Sequence, residues 1–263
     1  MKQRFGLSGY QLKIIAIIFM LLDHIYLEVL LGLPGIPYFS ILDMASRFVS
    51  PLFFFLMIEG FFYTRSRKKY LTRLLVAGAV MALGNLVIHY LMNVSISFFT
   101  ILNPNIFLSL ACGFGAVWLL DTIIEKKKIL LIFPLIFVSA LSIFTEASLV
   151  ALILPYLMYA SRKSGKDWIL YIGTLLLSIL FFLQAFSFDT SMSLWQSISL
   201  NPEFLIITVL PFIYLYNGKK GGRSSAFKKY FFYGFYPIHI WILFIIGHLL
   251  NLMLSLNLRV TIV

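Results

Sequence analysis

Three ionisable residues interrupt the first long apolar stretch of the chain, which runs from Leu12 to Leu31. Asp23 and His24 are adjacent, and Glu28 follows one helical turn later. A charged side chain at the centre of a membrane-spanning helix costs about 2.5–3.5 kcal/mol, so such residues usually face protein or a water-filled cavity. A histidine with two neighbouring carboxylates is suited to proton transfer, and we expect His24 to act as a general base.

Two other apolar stretches also carry ionisable residues. Glu59 lies beside a glycine, where another backbone can approach closely, and a buried carboxylate there must be paired or neutral. His239 follows Pro237, whose missing N–H frees a carbonyl and favours a kink towards a cavity. At 1.5 Å per residue, His24 lies ~16 Å along a helix from Lys13, and His239 lies ~14 Å into its own stretch. The two histidines are therefore expected to meet at a similar depth.

The composition indicates which elements hold these residues. Of the 263 residues, 61% are hydrophobic, 17% are aromatic and only 12% are charged, with a mean hydropathy of +0.96. These values are far from soluble averages and predict an integral membrane protein. A span needs roughly 20 mainly apolar residues. We predict an all-α, polytopic bundle of about nine transmembrane helices, from the stretches 12–31, 47–63, 71–92, 106–120, 129–144, 148–160, 168–187, 203–216 and 230–250.

Basic residues predict the orientation, because Lys and Arg in short loops tend to remain cytoplasmic. With nine alternating spans, five groups of basic residues share one side, and only Arg47 and Arg259 lie on the other. The amino end is thus predicted to be cytoplasmic and the carboxyl end outside. The connections are too short for a soluble domain, so residues 1–263 are expected to form one integral domain of the cytoplasmic membrane. The net charge of +11 is spread over these loops, which favours lipid headgroups over nucleic acid as its partner.

Several motifs then resemble those of the TraX family. They are the first helix from Leu12 to His24, the segment 51–61 with the basic run 64–70, and the loop Asn217–Gly221 followed by Phe-Tyr-Pro-Ile-His at 235–239. This resemblance covers nearly the whole chain. One element differs, since Glu146-Ala147-Ser148 stands where the family usually has Asp-Tyr-Gly. The resemblance implies a membrane acetyltransferase, because the name-giving member acetylates the N-terminal amine of conjugative pilin.

The resemblance also implies acetyl-CoA as the donor and assigns roles to residues of this chain. In the wider superfamily of membrane acyltransferases, an Arg precedes the first-helix His by the spacing that Lys13 and His24 have here. His24 is then the general base, Asp23 or Glu28 orients it, and His239 polarises the thioester or shuttles a proton, with Glu59 as a further site residue. The expected ligands of the CoA phosphates are Lys13, Arg65, Arg67, Lys68, Lys69, Asn217, Lys219, Lys220 and Arg223.

The sequence leaves alternatives open for the acceptor and for the class of function. The acceptor is an amine of a small membrane or surface protein, or a hydroxyl of a cell-surface glycan. Intramembrane histidines and carboxylates also occur in proton-coupled transporters, and a non-catalytic assembly partner is a third interpretation. No spacing typical of a metal site is present, so no metal is predicted. His89 and His248 lie towards the ends of their spans, so we expect them at the membrane–water interface.

Overall fold

The computed structural model describes residues 6–31, 33, 41–187, 193–222 and 226–260, without the side chains of 186–187, 194–195, 226–230 and 257–260. These residues are mainly helical. Within these ranges the predicted all-α class is confirmed, and one isolated β-bridge joins Leu7 to Tyr216. The α-helices are α1 (Gly9–His24), α2 (Ile41–Ser46), α3 (Val49–Tyr63), α4 (Arg67–Leu91), α5 (Phe98–Leu102), α6 (Ile106–Lys126), α7 (Ile132–Ser142), α8 (Ser148–Ser164), α9 (Asp167–Ser187), α10 (Leu194–Leu200), α11 (Val209–Tyr214) and α12 (Ala226–Val260).

Five helical segments are long and apolar enough to cross a membrane: Ile41–Tyr63, Arg67–Leu91, Ile106–Lys126, Asp167–Ala185 and Phe231–Leu256. Two further apolar segments, Ile129–Ser142 and Pro202–Tyr214, are shorter and begin with 3₁₀ turns. The protein is therefore a multi-pass membrane protein. Helix length in the described residues does not by itself give the predicted count of nine.

The core lies where α3, α6 and α8 meet. Phe54, Phe61, Phe114 and Leu154 are among its fully buried side chains. By contrast, large apolar side chains on the outward faces of α4, α9 and α12 are exposed, as expected where lipid is the solvent.

The starts of α1 and α12 are held at the same end of the bundle. Ser8 and Gln11 form a capping box at the start of α1. The N–H groups of Gly9 and Tyr10 donate to the carbonyls of Lys219 and Lys220, each at 2.9 Å, in the loop that precedes α12. We call this end the basic face; it comprises the starts of α1 and α4, the ends of α3, α6 and α8, and loop 215–222.

The first apolar stretch is not one regular helix. It changes after His24 into a π-helical segment, Ile25–Leu30, and Leu31 N–H donates to the carbonyl of Tyr26 five residues earlier. The sequence predicted a single span here, and the difference matters because π-helical turns are frequent at functional sites. Helix α12 crosses this segment closely at Gly247, where a Cβ atom would lie 1.8 Å from the carbonyl oxygen of Glu28. The glycine thereby fixes how α1 and α12 approach.

Candidate functional site

The structure brings together two histidines from opposite ends of the chain. His24 ends α1, His239 lies on α12, and their ring centroids are 5.1 Å apart. Both are buried, with 8% and 6% of their surfaces exposed. The similar depths expected from helix geometry therefore correspond to a direct contact between the two rings.

Hydrogen bonding defines the proton arrangement of His239. Its Nδ1 lies 2.8 Å from the carbonyl oxygen of Phe235, and a carbonyl can only accept, so Nδ1 carries the proton. The other nitrogen, Nε2, is then an unprotonated acceptor when the ring is neutral. Among the described residues it has no hydrogen-bond partner, and neither has Nδ1 of His24. The pair thus retains one buried nitrogen on each ring for proton exchange.

Tyr236 packs beside both imidazoles and is anchored at its hydroxyl. The ring centroids lie 6.4 Å from His24 and 5.8 Å from His239. The hydroxyl donates to Oε2 of Glu146 at 2.6 Å and accepts from the N–H of Ile106 at 3.1 Å. The hydroxyl both donates and accepts a hydrogen bond, so the Tyr236 side chain has a defined position.

Two spaces meet at this site. The large cavity has a volume of about 470 Å³, and its polar lining includes Asp23, His24, Arg47, Glu146, Gln184 and Glu203. The small pocket, of about 100 Å³, is lined mainly by apolar side chains and extends along one face of α1 past Lys13, Ile17 and Met20. Met20, Phe53, Ile106 and Tyr236 line both spaces. A ligand in the small pocket and a ligand in the large cavity would therefore approach each other beside His24.

Acidic groups outnumber basic groups around the large cavity. Arg47 pairs with Asp43 and lies 3.4 Å from Glu203. Asp23 also lines the cavity, and its Oδ1 is buried without a hydrogen-bond partner in the described chain. Arg47 is thus the cation among several carboxyl groups in the described lining of the cavity and beside it.

The other two predicted carboxylates lie elsewhere. Glu59 accepts a 2.8 Å hydrogen bond from Arg162, at the basic face, and borders neither space. Glu28 lies on the π-helical segment and does not hydrogen-bond Nδ1 of His24, the role in which the sequence placed it or Asp23. Of the three predicted acids, Asp23 is the one that shares the cavity with His24.

An ion-pair network accounts for some of the basic residues. Asp121 accepts from Arg67 at 2.6 Å, from Lys163 at 3.2 Å and from the hydroxyl of Tyr159 at 2.6 Å. Burial lowers the pKa of Lys163, but its hydrogen bonds to Glu125, Tyr159 and Asp121 outweigh this and raise it above the usual value. This network ties together α4, α6 and α8, so Arg67 is engaged within the protein.

The remaining predicted phosphate ligands differ in their position. Lys13 borders the small pocket, with its Nζ 5.2 Å from the centre of the Phe232 ring. Of the predicted phosphate ligands, those exposed on the basic face are Arg65, Lys68, Lys69, Lys219 and Lys220. Asn217 donates to the carbonyl of Gly6 and accepts from the N–H of Lys219, which closes the loop onto the start of α1. Arg223 lies outside the described residues.

The structure adds residues that the sequence analysis did not assign. Tyr236 lies within the Phe-Tyr-Pro-Ile-His motif, and Glu146 is in the element that departs from the family pattern, so each had a signal without a role. Arg47 is an exception to the predicted charge distribution. These signals became interpretable only once the cavity had been located. In the described part of the chain, no group of three His, Cys, Asp or Glu is placed to hold a metal ion.

Comparisons with known proteins agree with this description. No solved structure matches the chain. A relative from Dichelobacter nodosus, the "Probable fimbrial assembly protein FimC, serogroup H1", is 30% identical over 249 residues, which cover 92% of this chain and 97% of the relative. The model of the family described as TraX protein matches residues 8–247, which include both histidines, Tyr236 and Glu146. The chain therefore belongs to the TraX family.

Proposed function

We propose that the protein is a membrane-embedded acetyltransferase that moves an acetyl group from acetyl-CoA to an amine or hydroxyl acceptor. The observation that carries the proposal is the contact of His24 and His239 at the junction of an apolar pocket and a polar cavity. The pocket suits a slender donor arm, and the cavity suits a polar acceptor. Family membership supports a role in modifying a pilus component, since TraX proteins are linked to pilin.

We propose that the donor enters from the basic face. Lys13 lines the small pocket, which continues along α1 towards Met20. The distance of ~16 Å between Lys13 and His24 is about the length of the pantetheine arm of CoA. With its phosphates near Lys13, the donor would present its thioester beside the histidine pair.

His24 is the proposed general base because it borders the large cavity, where the acceptor would bind. We assign the proton of neutral His24 to its Nδ1, which has no hydrogen-bond partner among the described residues, so that Nε2 of His24 carries the lone pair. As the acceptor attacks the thioester carbonyl, His24 takes its proton, the carbon–sulfur bond breaks, and the same proton passes to the departing thiolate of CoA. The step yields acetylated acceptor and CoA thiol, with atoms and charge in balance.

The nature of the acceptor is proposed from the relative and from the cavity. The relative is named as a fimbrial assembly protein, which favours a protein acceptor over a glycan. Carboxylates around the large cavity would attract a protonated N-terminal amine and take its extra proton, so that the neutral nitrogen attacks the thioester and His24 takes the second proton. We therefore propose the amino end of a fimbrial subunit as the acceptor.

The test is acetyl transfer by detergent-purified protein. Radiolabelled acetyl-CoA is supplied with a peptide that has a free amino terminus, or with the same peptide already blocked. Label should appear on the free peptide only, and acetyl-CoA should bind without it. If acetyl-CoA does not bind, and reconstituted vesicles show proton-linked uptake of a solute, the transporter interpretation replaces this one.

We further propose that the chain crosses the membrane nine times, with the basic face cytoplasmic and the carboxyl end outside. Reporter fusions after Lys127 and after Lys220 should then both give a cytoplasmic signal, because basic loops remain on that side. A fusion after residue 195 should give an outside signal. Opposite signals from Lys127 and Lys220 would refute this topology.

The basic residues are expected to contribute unequally to donor binding. Lys13→Met should weaken acetyl-CoA binding about tenfold, because a hydrogen bond to a charged group is lost in the small pocket. Joint replacement of Lys219 and Lys220 by Ser should have a smaller effect that disappears at high salt. Binding is measured by isothermal calorimetry at two salt concentrations. Lys166→Gln, which removes an exposed cation from the α8–α9 connection, is the control; equal weakening in all three would assign these charges to lipid.

A further inference from the structure

The small pocket and the large cavity are separated by a shared partition. Met20, Phe53, Ile106 and Tyr236 line both spaces, each from a different helix. Three of these residues are apolar, and Tyr236 is the one with a polar group. Tyr236 is therefore the member of the partition whose position hydrogen bonds can fix.

Tyr236 is fixed more firmly than packing alone requires. Its hydroxyl bonds to both Glu146 and the N–H of Ile106, and only 4% of its surface is exposed. An edge-to-face contact with Phe107, at 5.2 Å between centroids, supports the ring from another side. Glu146 lies in the turn between α7 and α8, so this turn reaches the partition and anchors it from outside α12.

The two sides of the partition differ in their affinity for water. The large cavity carries charged and amide side chains, and water enters spaces of this size when polar partners are available. The small pocket is mainly apolar and lacks such partners along most of its length. A thioester in the small pocket would stay dry only while the partition is closed, and exclusion of water protects reactive groups from hydrolysis.

We propose that Tyr236, held by Glu146, is a water barrier that covers the thioester until an acceptor fills the large cavity, and that it thereby prevents hydrolysis of the thioester. This inference rests on the proposed function. Without the barrier, a water oxygen attacks the thioester carbonyl and the carbon–sulfur bond breaks. Acetate and CoA thiol are formed, one water proton goes to the thiolate, and the other is released to solvent. Glu146 is a positioning residue in this scheme, because it acts through Tyr236.

The first experiment measures release of CoA thiol from acetyl-CoA when no acceptor is present. Tyr236→Ala and Glu146→Ala should raise this release at least severalfold over the natural protein, while transfer to acceptor falls. Glu146→Gln keeps an oxygen that accepts from Tyr236 and should restore low hydrolysis. Tyr156→Phe removes the hydroxyl of a half-buried tyrosine that is bonded to Ser139 and lines neither space, and it should not change thiol release. If Glu146→Ala and Glu146→Gln behave alike, the anchoring role is wrong.

The second experiment does not depend on enzyme activity. Met57 lines the small pocket and is 2% exposed, and Met57→Cys is made in a Cys112→Ser background. A membrane-impermeant anionic methanethiosulfonate is applied to sealed vesicles of each orientation. With Tyr236 intact, labelling should occur from the basic face only; Tyr236→Ala should add labelling from the opposite face.

Tyr236→Phe is included as a milder variant, and each protein is checked for a single peak in detergent. Equal labelling from the opposite face with and without Tyr236 would overturn the barrier. If labelling changes as expected but no variant hydrolyses acetyl-CoA, the barrier holds and the proposed donor is wrong. The two experiments thus separate the failure of this inference from the failure of the proposed function.

Discussion

Replacing His24 by alanine should lower the rate of acetyl transfer by about 10²–10⁴, the usual contribution of a general base. Protein abundance and acetyl-CoA binding should survive, because His24 borders the large cavity and is absent from the lining of the small pocket. Rates are measured with saturating donor, so that the loss appears in kcat. A repacking defect would instead reduce the amount of folded protein.

The other histidines test whether this loss is specific. His89 also bonds a carbonyl four residues earlier, Nδ1 to Asn85 O at 2.8 Å, and stacks on Phe244, so His89→Ala removes a similar local arrangement away from the site. It should retain near-normal turnover. His239→Ala should be less damaging than His24→Ala, and His239→Gln, which supplies an acceptor oxygen near the position of Nε2, should recover part of the rate. Near-normal turnover in His24→Ala would remove the catalytic assignment.

Replacing Gly247 by alanine should reduce turnover about a hundredfold, although this residue touches neither histidine. A Cβ atom there would lie 1.8 Å from the carbonyl oxygen of Glu28 and 2.9 Å from its carbon, so one backbone must move. His24 directly precedes the π-helical segment that Gly247 contacts, so the backbone movement separates the two imidazoles. A misplacement of about 1 Å lowers the rate by about a hundredfold. Thermal unfolding in detergent should also begin at a lower temperature.

Gly234 provides the matched control on the same helix. A Cβ atom at Gly234 would meet nothing within 4 Å, and alanine is favoured over glycine in a helix by about 1 kcal/mol. Gly234→Ala should therefore leave turnover and thermal stability unchanged or slightly improved. Equal behaviour of the two variants would show that the crossing at Gly247 does not position the site.

The sequence predicted the fold class and the depth of the histidines for a common reason. Both depend on properties of a single segment: its apolar length and the constant rise of a helix. Asp23 and His24 are adjacent in the sequence, and the structure shows that both border the large cavity. The sequence did not predict the π-helical segment, because that irregularity accompanies the close crossing with Gly247, which belongs to a different part of the chain.

Assignments that depend on partners were beyond the sequence. Glu59 appeared to be a buried carboxylate available for chemistry, but it pairs with Arg162, 103 residues later. Arg67 had the character of a phosphate ligand, yet Asp121 binds it from 54 residues away. Whether a charged side chain forms a structural ion pair or stays available to a ligand depends on which helix lies beside it. Local sequence periodicity does not show which helices are neighbours.

By itself, then, the sequence determined a helical membrane protein with two histidines at one depth. Tertiary structure decided that these histidines touch, that Tyr236 and Glu146 meet across 90 residues beside them, and that a polar and an apolar space share one wall there. The physical reason is that apolar length and rise per residue are properties of a single helix, whereas a cavity and the hydrogen bonds across it form only between helices.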